Sequence, residues 1–157
     1  MKPDIDISDK KLKEVATLLN TLLADEYLLY TKTRNAHWNI QGKNFNEMHK
    51  FFESQYVSLD IIIDNTAERI RALGHFALGS MKDFLKIARL SEQNDDFTDQ
   101  DHMMQTLLLD HESISRSLRK DITIAGGENK DLGTADFMTG VMEQHEKMAW
   151  MLRSYLK

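Results

Sequence analysis

Cysteine is absent from this chain of 157 residues, and proline occurs only once. Without thiols the protein cannot contain disulfides, thiolate-bound zinc, iron–sulfur clusters or a cysteine nucleophile, and this composition fits a reducing compartment. One proline and seven glycines are few breakers of regular structure for this length. Their scarcity argues against an all-β sandwich and predicts long helices.

Long hydrophobic runs are also missing. No apolar stretch approaches the roughly 20 residues that span a bilayer, and the first eight residues carry charges where a signal peptide has its apolar core. The 20 basic and 25 acidic residues give a net charge of −5, which does not favour binding to nucleic acid or to a membrane surface. We therefore expect a cytoplasmic protein without a membrane partner.

Helical periodicity dominates what the sequence does contain. Apolar residues recur at spacings of three and four, which is the pattern of amphipathic helices. The first helix is predicted over 9–40 with Ser8 as its N-cap, and the second over about 45–73 with Gly74 as the left-handed residue that ends it. Gly42 lies in the turn between them. The predicted core positions are Leu12, Val15, Ala16, Leu19, Leu22, Leu23, Leu29 and Ala36, then Met48, Phe52, Tyr56 or Gln55, Leu59, Ile63, Ala67 and Ile70.

The rest of the chain predicts a long crossover and two further helices. Residues 75–97 form the crossover and contain a short helix over 80–90. Its apolar side is formed by Met81, Phe84, Leu85 and Ala88. Thr98 is the predicted N-cap of the third long helix, which reaches Ile124 and is ended by Gly126 and Gly127. The fourth runs from about Thr134 to Leu156. This order predicts an all-α, ferritin-like four-helix bundle in one domain, 1–157, with a short N-terminal arm at 1–8.

Histidine and carboxylate side chains share one face of the second predicted helix. His49 and Glu53 are four residues apart, and Asp60, Asp64 and Glu68 continue in steps of four, so that all five fall within an arc of roughly 100°. Such ligands suit iron, manganese or zinc. A charged stripe is more often a solvated face. Asp64 and Glu68, however, lie among isoleucines, so we expect them to be buried against a cation.

One chain cannot bring the two ends of this stripe together. His49 and Glu53 lie on the order of 22 Å along the helix from Asp64 and Glu68, too far apart to share a metal. If two copies cross antiparallel near Ser58–Leu59, His49 meets Glu68 of the second copy and Glu53 meets its Asp64. A two-fold dimer would then form two equivalent shared sites. The spacing permits this arrangement without requiring it.

The usual alternative is a di-iron centre within one chain, and the sequence weighs against it. Such a centre needs Glu-x-x-His on two helices, and this pattern does not occur. Of the other histidines, His145 is predicted to be structural and His75 to lie at the surface. His102 and His111 are predicted to be hydrogen-bonded or exposed rather than metal ligands.

The run RNAHWNIQGKNFNEMH over 34–49, followed by Glu53, Asp64 and Ala67–Arg69, resembles the Dps mini-ferritin family. The ending HEKMAWMLRSYL over 145–156 resembles it as well. The similarity covers about 8–156. It is specific, because a His-Trp pair, a second histidine twelve residues on and Asp-x-x-x-Glu all keep the family's spacing.

The resemblance implies a hollow dodecamer, built on two-fold dimers, that oxidises Fe²⁺, preferably with hydrogen peroxide, and stores ferric mineral against oxidative stress. It assigns the ferroxidase ligands to one subunit and its two-fold mate. It also adds His37, a ligand that spacing alone does not assign. The implied set is His37, His49 and Glu53 of one subunit with Asp64 and Glu68 of the other. Trp38 matches the tryptophan beside the family's centre, where it intercepts radicals, and we expect core packing to be its larger role.

Two features bear on DNA and on iron entry. DNA-binding members carry a mobile basic tail, whereas residues 1–13 here have four lysines against three aspartates, and the sequence ends at Lys157 directly after the helix pattern. DNA binding, with a nucleoid location, is therefore the alternative function and not the expected one.

Asp131 and Asp136 match family aspartates that line a three-fold pore for iron. Their other available role is to stabilise the positively polarised N-terminus of the last helix. A structural cage holding zinc in the same site, or no metal, is a third hypothesis.

Overall fold

Four long helices and one short helix are formed by the described residues, which are 2–92, 97 and 99–156 of a computed structural model. Their bounds are α1 Asp9–Asn39, α2 Phe45–Ala72, α3 Met81–Ile87, α4 Gln100–Thr123 and α5 Leu132–Tyr155. α1 packs mainly on α2, and α4 mainly on α5. The ferritin-like bundle with a short helix in its crossover is confirmed.

The predicted apolar stripes of the first two helices form the core. All eight predicted positions of α1 are buried. In α2, where the pattern allowed either residue, Gln55 takes the core position and is 2% exposed, while Tyr56 turns toward α1. Ser8 stands at the N-cap of α1 as predicted, although its side chain makes no capping hydrogen bond.

The crossover helix α3 begins where Ser80 accepts a hydrogen bond from the N–H of Asp83. Phe84 is buried and stacks on Tyr27 of α1 at 4.4 Å between ring centroids. The prediction that Met81 and Leu85 pack on the same side is wrong for the single chain, because they are 63% and 50% exposed. A helix of seven residues has only two turns, and here one aromatic side chain provides the contact.

The ends of α4 differ from the predicted ones. Asp99 is the N-cap and accepts from the N–H of His102; the predicted cap, Thr98, lies outside the described residues. The predicted stop at Gly126 and Gly127 is wrong, because a π-helical turn, Ile124–Glu128, continues through both glycines. The N–H of Asn129 closes this wider turn by bonding to the carbonyl oxygen of Ile124.

Ion pairs with buried carboxylates tie the crossover to the bundle, and another pair ties α1 to α4. Arg89 donates its Nε to Asp25 of α1 at 2.7 Å and its Nη1 to Asp121 of α4 at 2.9 Å. Lys32 of α1 pairs with Asp110 of α4 at 2.8 Å, both largely buried. Charges removed from water are stable only when paired and hydrogen-bonded, so these contacts fix how the first half of the bundle meets the second. No helix in the described part of the chain is long and apolar enough to cross a membrane.

Gly74, the predicted end of α2, has φ +82°, and a Cβ atom added there would lie 2.6 Å from Cδ of Pro3 in the N-terminal arm. Gly74→Ala is therefore expected to lower the free energy of unfolding by about 1–3 kcal/mol, through left-handed strain and displacement of the arm. Gly79→Ala is the matched control, because nothing lies within 4 Å of its added Cβ. Chemical denaturation measures both; equal stabilities would contradict the expectation.

Candidate metal centre

Two stripes of polar and aromatic residues face each other across the antiparallel α1–α2 pair. On α1 the stripe is Tyr30, Arg34 and His37, at spacings of four and three; on α2 it is His49, Glu53 and Tyr56, at spacings of four and three. The ring contacts between Tyr30 and Tyr56 and between His37 and His49 set the register of the two helices. The structure thus brings together His37 and His49, and Glu53 lies one turn along α2 from His49.

His37 and His49 orient each other. The Nδ1 of His37 lies 2.8 Å from the carbonyl oxygen of His49, and the Nδ1 of His49 lies 2.8 Å from the carbonyl oxygen of His37. The two rings stack at 3.7 Å between centroids. Because a carbonyl oxygen only accepts, each Nδ1 is the donor, and each neutral imidazole carries its free lone pair on Nε2. Both histidines are therefore fixed in the tautomer that binds a metal through Nε2.

Aromatic rings enclose this histidine pair. Phe45 stacks on His49 at 5.1 Å, and Tyr56 meets His37 edge-on at 5.1 Å. Arg34 lies over the ring of Tyr56, with its Cζ 4.4 Å from the ring centroid. The imidazoles are thus held by packing as well as by hydrogen bonds before any metal arrives.

Glu53 extends from α2 beside these rings. Its side chain is exposed, and its Oε1 accepts a hydrogen bond from the hydroxyl of Tyr56 at 3.3 Å. Desolvation and the neighbouring Glu53 carboxylate raise the pKa of Tyr56 above its ordinary value. The hydroxyl therefore stays protonated and donates to the carboxylate.

Asp64 and Glu68 lie farther along α2 and remain exposed in the single chain. The expected burial against a cation is not formed within one chain, where Ile61, on the same stretch, is also 57% exposed. Within the described residues no three histidine or acidic side chains converge closely enough to hold a metal ion. In a single chain His37, His49 and Glu53 therefore do not form a metal site by themselves, and the two other predicted ligands lie farther along α2.

Trp38 lies next to His37 but points outward. Its side chain is 62% exposed, so the expected core packing is wrong for the single chain. It instead lies against Arg34, whose Cζ is 5.1 Å from the indole ring. This cation–π contact keeps the indole beside the histidine pair.

The two predicted pore residues have different surroundings. Asp131 is 2% exposed and caps α5 by accepting from the N–H and the hydroxyl of Thr134. It also accepts from Nη2 of Arg69 at 3.3 Å. Asp136 lies just beyond the first turn of α5 and is exposed. The capping role thus accounts for Asp131, and only Asp136 has a carboxylate facing solvent.

Sequence reasoning missed a polar triad in the centre of the bundle. The Nε2 of His145 donates to Oε1 of Glu26 at 2.8 Å, and its Nδ1 lies 2.9 Å from Nδ1 of His111. All three residues are fully buried. Burial and the neighbouring His145 hold the pKa of His111 well below its ordinary value. The prediction of a structural His145 agrees with this contact. In the sequence, the signal for the triad is Glu26, because a carboxylate in the middle of an apolar stripe needs a buried partner.

Comparisons with known proteins agree with this architecture. A family model described as "Ferritin-like domain" matches residues 16–157. A low temperature-induced protein of Nostoc is 44% identical over 98% of this chain and 86% of its own length. "DNA protection during starvation protein 2" of Bacillus anthracis is 35% identical over 92% of this chain and 97% of its own length.

Among solved structures, a Dps protein of Vibrio cholerae O1, described as a ferritin-like diiron-carboxylate protein, superposes with a TM-score of 0.92. The two chains are 35% identical, with 99% of this chain and 97% of that chain covered. The matched family model, the identity to a Dps relative and the shared bundle lead to one conclusion. The chain belongs to the Dps mini-ferritins of the ferritin-like superfamily.

Proposed function

We propose that the protein is a ferroxidase that oxidises Fe²⁺ with hydrogen peroxide and stores the ferric product. The observation that carries this proposal is the reciprocal His37–His49 pair, which presents two Nε2 lone pairs beside the Glu53 carboxylate. Mixed nitrogen and oxygen ligands of this kind suit Fe²⁺, and carboxylates favour the harder Fe³⁺. Zinc or another divalent ion could occupy the same ligands.

The complete site requires a second copy of the chain. His37, His49 and Glu53 of one subunit would bind iron together with Asp64 and Glu68 of its two-fold mate. The exposure of Asp64 and Glu68 supports this arrangement, because they are free to face another subunit. Val57 and Ile61, 48% and 57% exposed on the same helix, add apolar area that a dimer would bury. We further infer a dodecamer of such dimers, with ferric mineral inside.

The proposed reaction balances with two iron ions and one peroxide. Two Fe²⁺ ions give up two electrons, hydrogen peroxide takes both together with two protons, and the products are two Fe³⁺ ions and two water molecules. Delivery of both electrons to one peroxide avoids release of hydroxyl radical. In this proposal the chain's own groups bind iron, and the main-chain hydrogen bonds keep both imidazoles in the required tautomer.

An anaerobic ferrous titration tests the proposal. Fe²⁺ is added to the assembled protein, peroxide follows at one molecule per two irons, and ferric absorbance is recorded against a protein-free blank. We expect rapid oxidation at that stoichiometry, with the product remaining in solution with the protein. Oxidation no faster than in the blank, or Fe³⁺ that precipitates outside the protein, would refute the proposed function.

DNA binding is the second candidate, favoured by the names of relatives such as "DNA protection during starvation protein 2" of Bacillus anthracis. The described part of the N-terminal arm is not a free basic tail. Pro3 packs against Gly74, and Lys2 pairs with Asp9 at 2.8 Å. With a net charge of −5 per chain, we expect no retention of plasmid DNA at neutral pH and physiological salt. A gel shift with a chelator control measures this, and salt-sensitive retention in the presence of chelator would contradict it.

Iron entry is proposed to pass the start of α5, where Asp136 would form an acidic ring around a three-fold axis. Asp136→Asn is expected to slow iron uptake by several-fold at low ionic strength, because a ring of carboxylates concentrates cations. Asp131→Ala is the contrasting variant and should mainly lower stability, by about 0.5–2 kcal/mol, through loss of the cap. Stopped-flow uptake and thermal unfolding separate the two effects; uptake unchanged in Asp136→Asn would remove the pore role.

A further inference from the structure

Tyr56 touches both kinds of proposed ligand in the single chain. Its hydroxyl donates to Oε1 of Glu53 at 3.3 Å, and its ring meets His37 edge-on, with 5.1 Å between ring centroids. Glu53 and Tyr56 are three residues apart, so they lie on the same side of α2. No other tyrosine in the described residues donates to Glu53.

Arg34 holds Tyr56 in this place. Its guanidinium lies over the Tyr56 ring at 4.4 Å, and its Nη1 donates to the hydroxyl of Tyr30 at 3.0 Å. Tyr30 in turn packs edge-on against Tyr56 at 6.0 Å. The Tyr56 ring is thus fixed by a cation on one side and by aromatic rings from α1 on others.

Glu53 needs such support more than the histidines do. His37 and His49 are fixed by main-chain hydrogen bonds, whereas Glu53 is exposed and has a long, flexible side chain. Immobilising a side chain of this kind on metal binding costs up to about 2 kcal/mol of rotamer entropy. A partner that orients the carboxylate beforehand reduces this cost.

We propose that Tyr56 is a positioning residue, an inference that rests on the proposed function. Arg34 holds the Tyr56 ring in place. The Tyr56 hydroxyl bonds to Oε1 of Glu53, which leaves Oε2 of the same carboxylate to bind the metal. The Glu53 carboxylate is then oriented, as the two imidazoles are, before a divalent cation and the carboxylates of the second subunit arrive. Outer groups that orient a metal ligand typically contribute about 10–100-fold in metal affinity. The long Tyr56–Glu53 contact places the expected effect at the lower end of that range.

Co²⁺ titration of the assembled, metal-free protein tests the proposal by calorimetry and by visible absorption, which reports the ligand geometry. Tyr56→Phe keeps the ring and removes the hydroxyl, and it should weaken Co²⁺ binding about tenfold and change the visible spectrum. Tyr155→Phe is the matched control: it removes a hydroxyl that donates to Oε1 of Glu47, an α2 carboxylate outside the proposed site. Its Co²⁺ affinity should remain within about twofold of wild type.

A double-variant cycle separates positioning from general stability. With Glu53→Ala already in place, adding Tyr56→Phe should cause no further loss of Co²⁺ affinity. The proposal is overturned if Tyr56→Phe binds Co²⁺ like wild type, or if its effect persists undiminished in the Glu53→Ala background. Wild-type protein that neither binds Co²⁺ nor oxidises Fe²⁺ would refute the ferroxidase function as well, so the two failures are distinguishable.

Discussion

Replacing Glu68 with alanine is expected to slow peroxide-driven oxidation of Fe²⁺ by about 100-fold, since loss of a direct ligand should cost at least as much as loss of an outer partner. Assembly should persist, because Glu68 is exposed and the fold is stabilised by the buried apolar stripes. Asp60→Ala is the matched control, an exposed carboxylate on the same face of α2 that the proposed site does not use. Stopped-flow ferric absorbance, with light scattering for assembly, measures both variants. Equal rates for Glu68→Ala and wild type would remove Glu68 from the site.

Mixed subunits give a sharper form of this test. His49→Ala and Glu68→Ala proteins, each inactive alone, are dissociated, mixed and reassembled. In a mixed two-fold dimer one site lacks both groups and the other is intact, so random pairing should restore about a quarter of wild-type activity. Recovery of none, with mixed assemblies shown by mass, would mean that each chain completes its own centre.

The second large effect is expected in the bundle core. His145→Leu should lower the free energy of unfolding by about 3–5 kcal/mol, because it leaves the buried Glu26 carboxylate without its partner. Combining it with Glu26→Leu should recover much of that loss, since an apolar pair needs no compensating charge. Denaturant unfolding of the single and double variants measures the coupling. Strictly additive losses would show that the two side chains do not stabilise each other.

The same triad predicts acid sensitivity. Because the pKa of His111 is lowered in the folded state, the unfolded chain binds more protons at acidic pH, and stability rises with pH. The contribution is fully present above the unfolded-state value of about 6.5 and is lost as the pH falls below it, toward the folded-state pKa. His111→Gln should reduce the loss of folding stability below pH 6.5. His75→Gln, which changes a half-buried histidine outside the core, should not.

The amphipathic periodicity was sufficient to predict the helices, because each stripe is a local pattern. α1 and α2 match their predicted spans to within a residue or two. The π-helical turn through Gly126 and Gly127 was not predictable, since it depends on Asn129, which is buried between two helices and caps Ile124 with its main chain and its amide. The helical periodicity allows either Gln55 or Tyr56 at the core position of α2, and only packing against the neighbouring helix decides between them.

For the candidate site, the residue types and their spacing along one helix predict the proposed ligands of α2. It could not show that His37 and His49 fix each other through their main chains, because that contact depends on how two helices meet. Tyr56 was predicted only as a core alternative, although its spacing of three from Glu53 was visible in the sequence. The proposed role of the exposed Asp64 and Glu68 depends on a second copy of the chain, which the sequence suggests only through the symmetric spacing of the ligands.

The crossed bonds between His37 and His49 make the short turn after α1 part of the site. Surface turns ordinarily accept inserted tags or labels, and the exposed Gly42, with φ +112° and nothing within 4 Å of an added Cβ, looks like such a place. Here each imidazole is anchored on the main chain beyond the turn. An insertion between Ile40 and Asn44 that shifted α2 along α1 would release both imidazoles at once. Protein engineers attaching cargo to this chain should therefore treat that turn as a fixed-length part and modify it last.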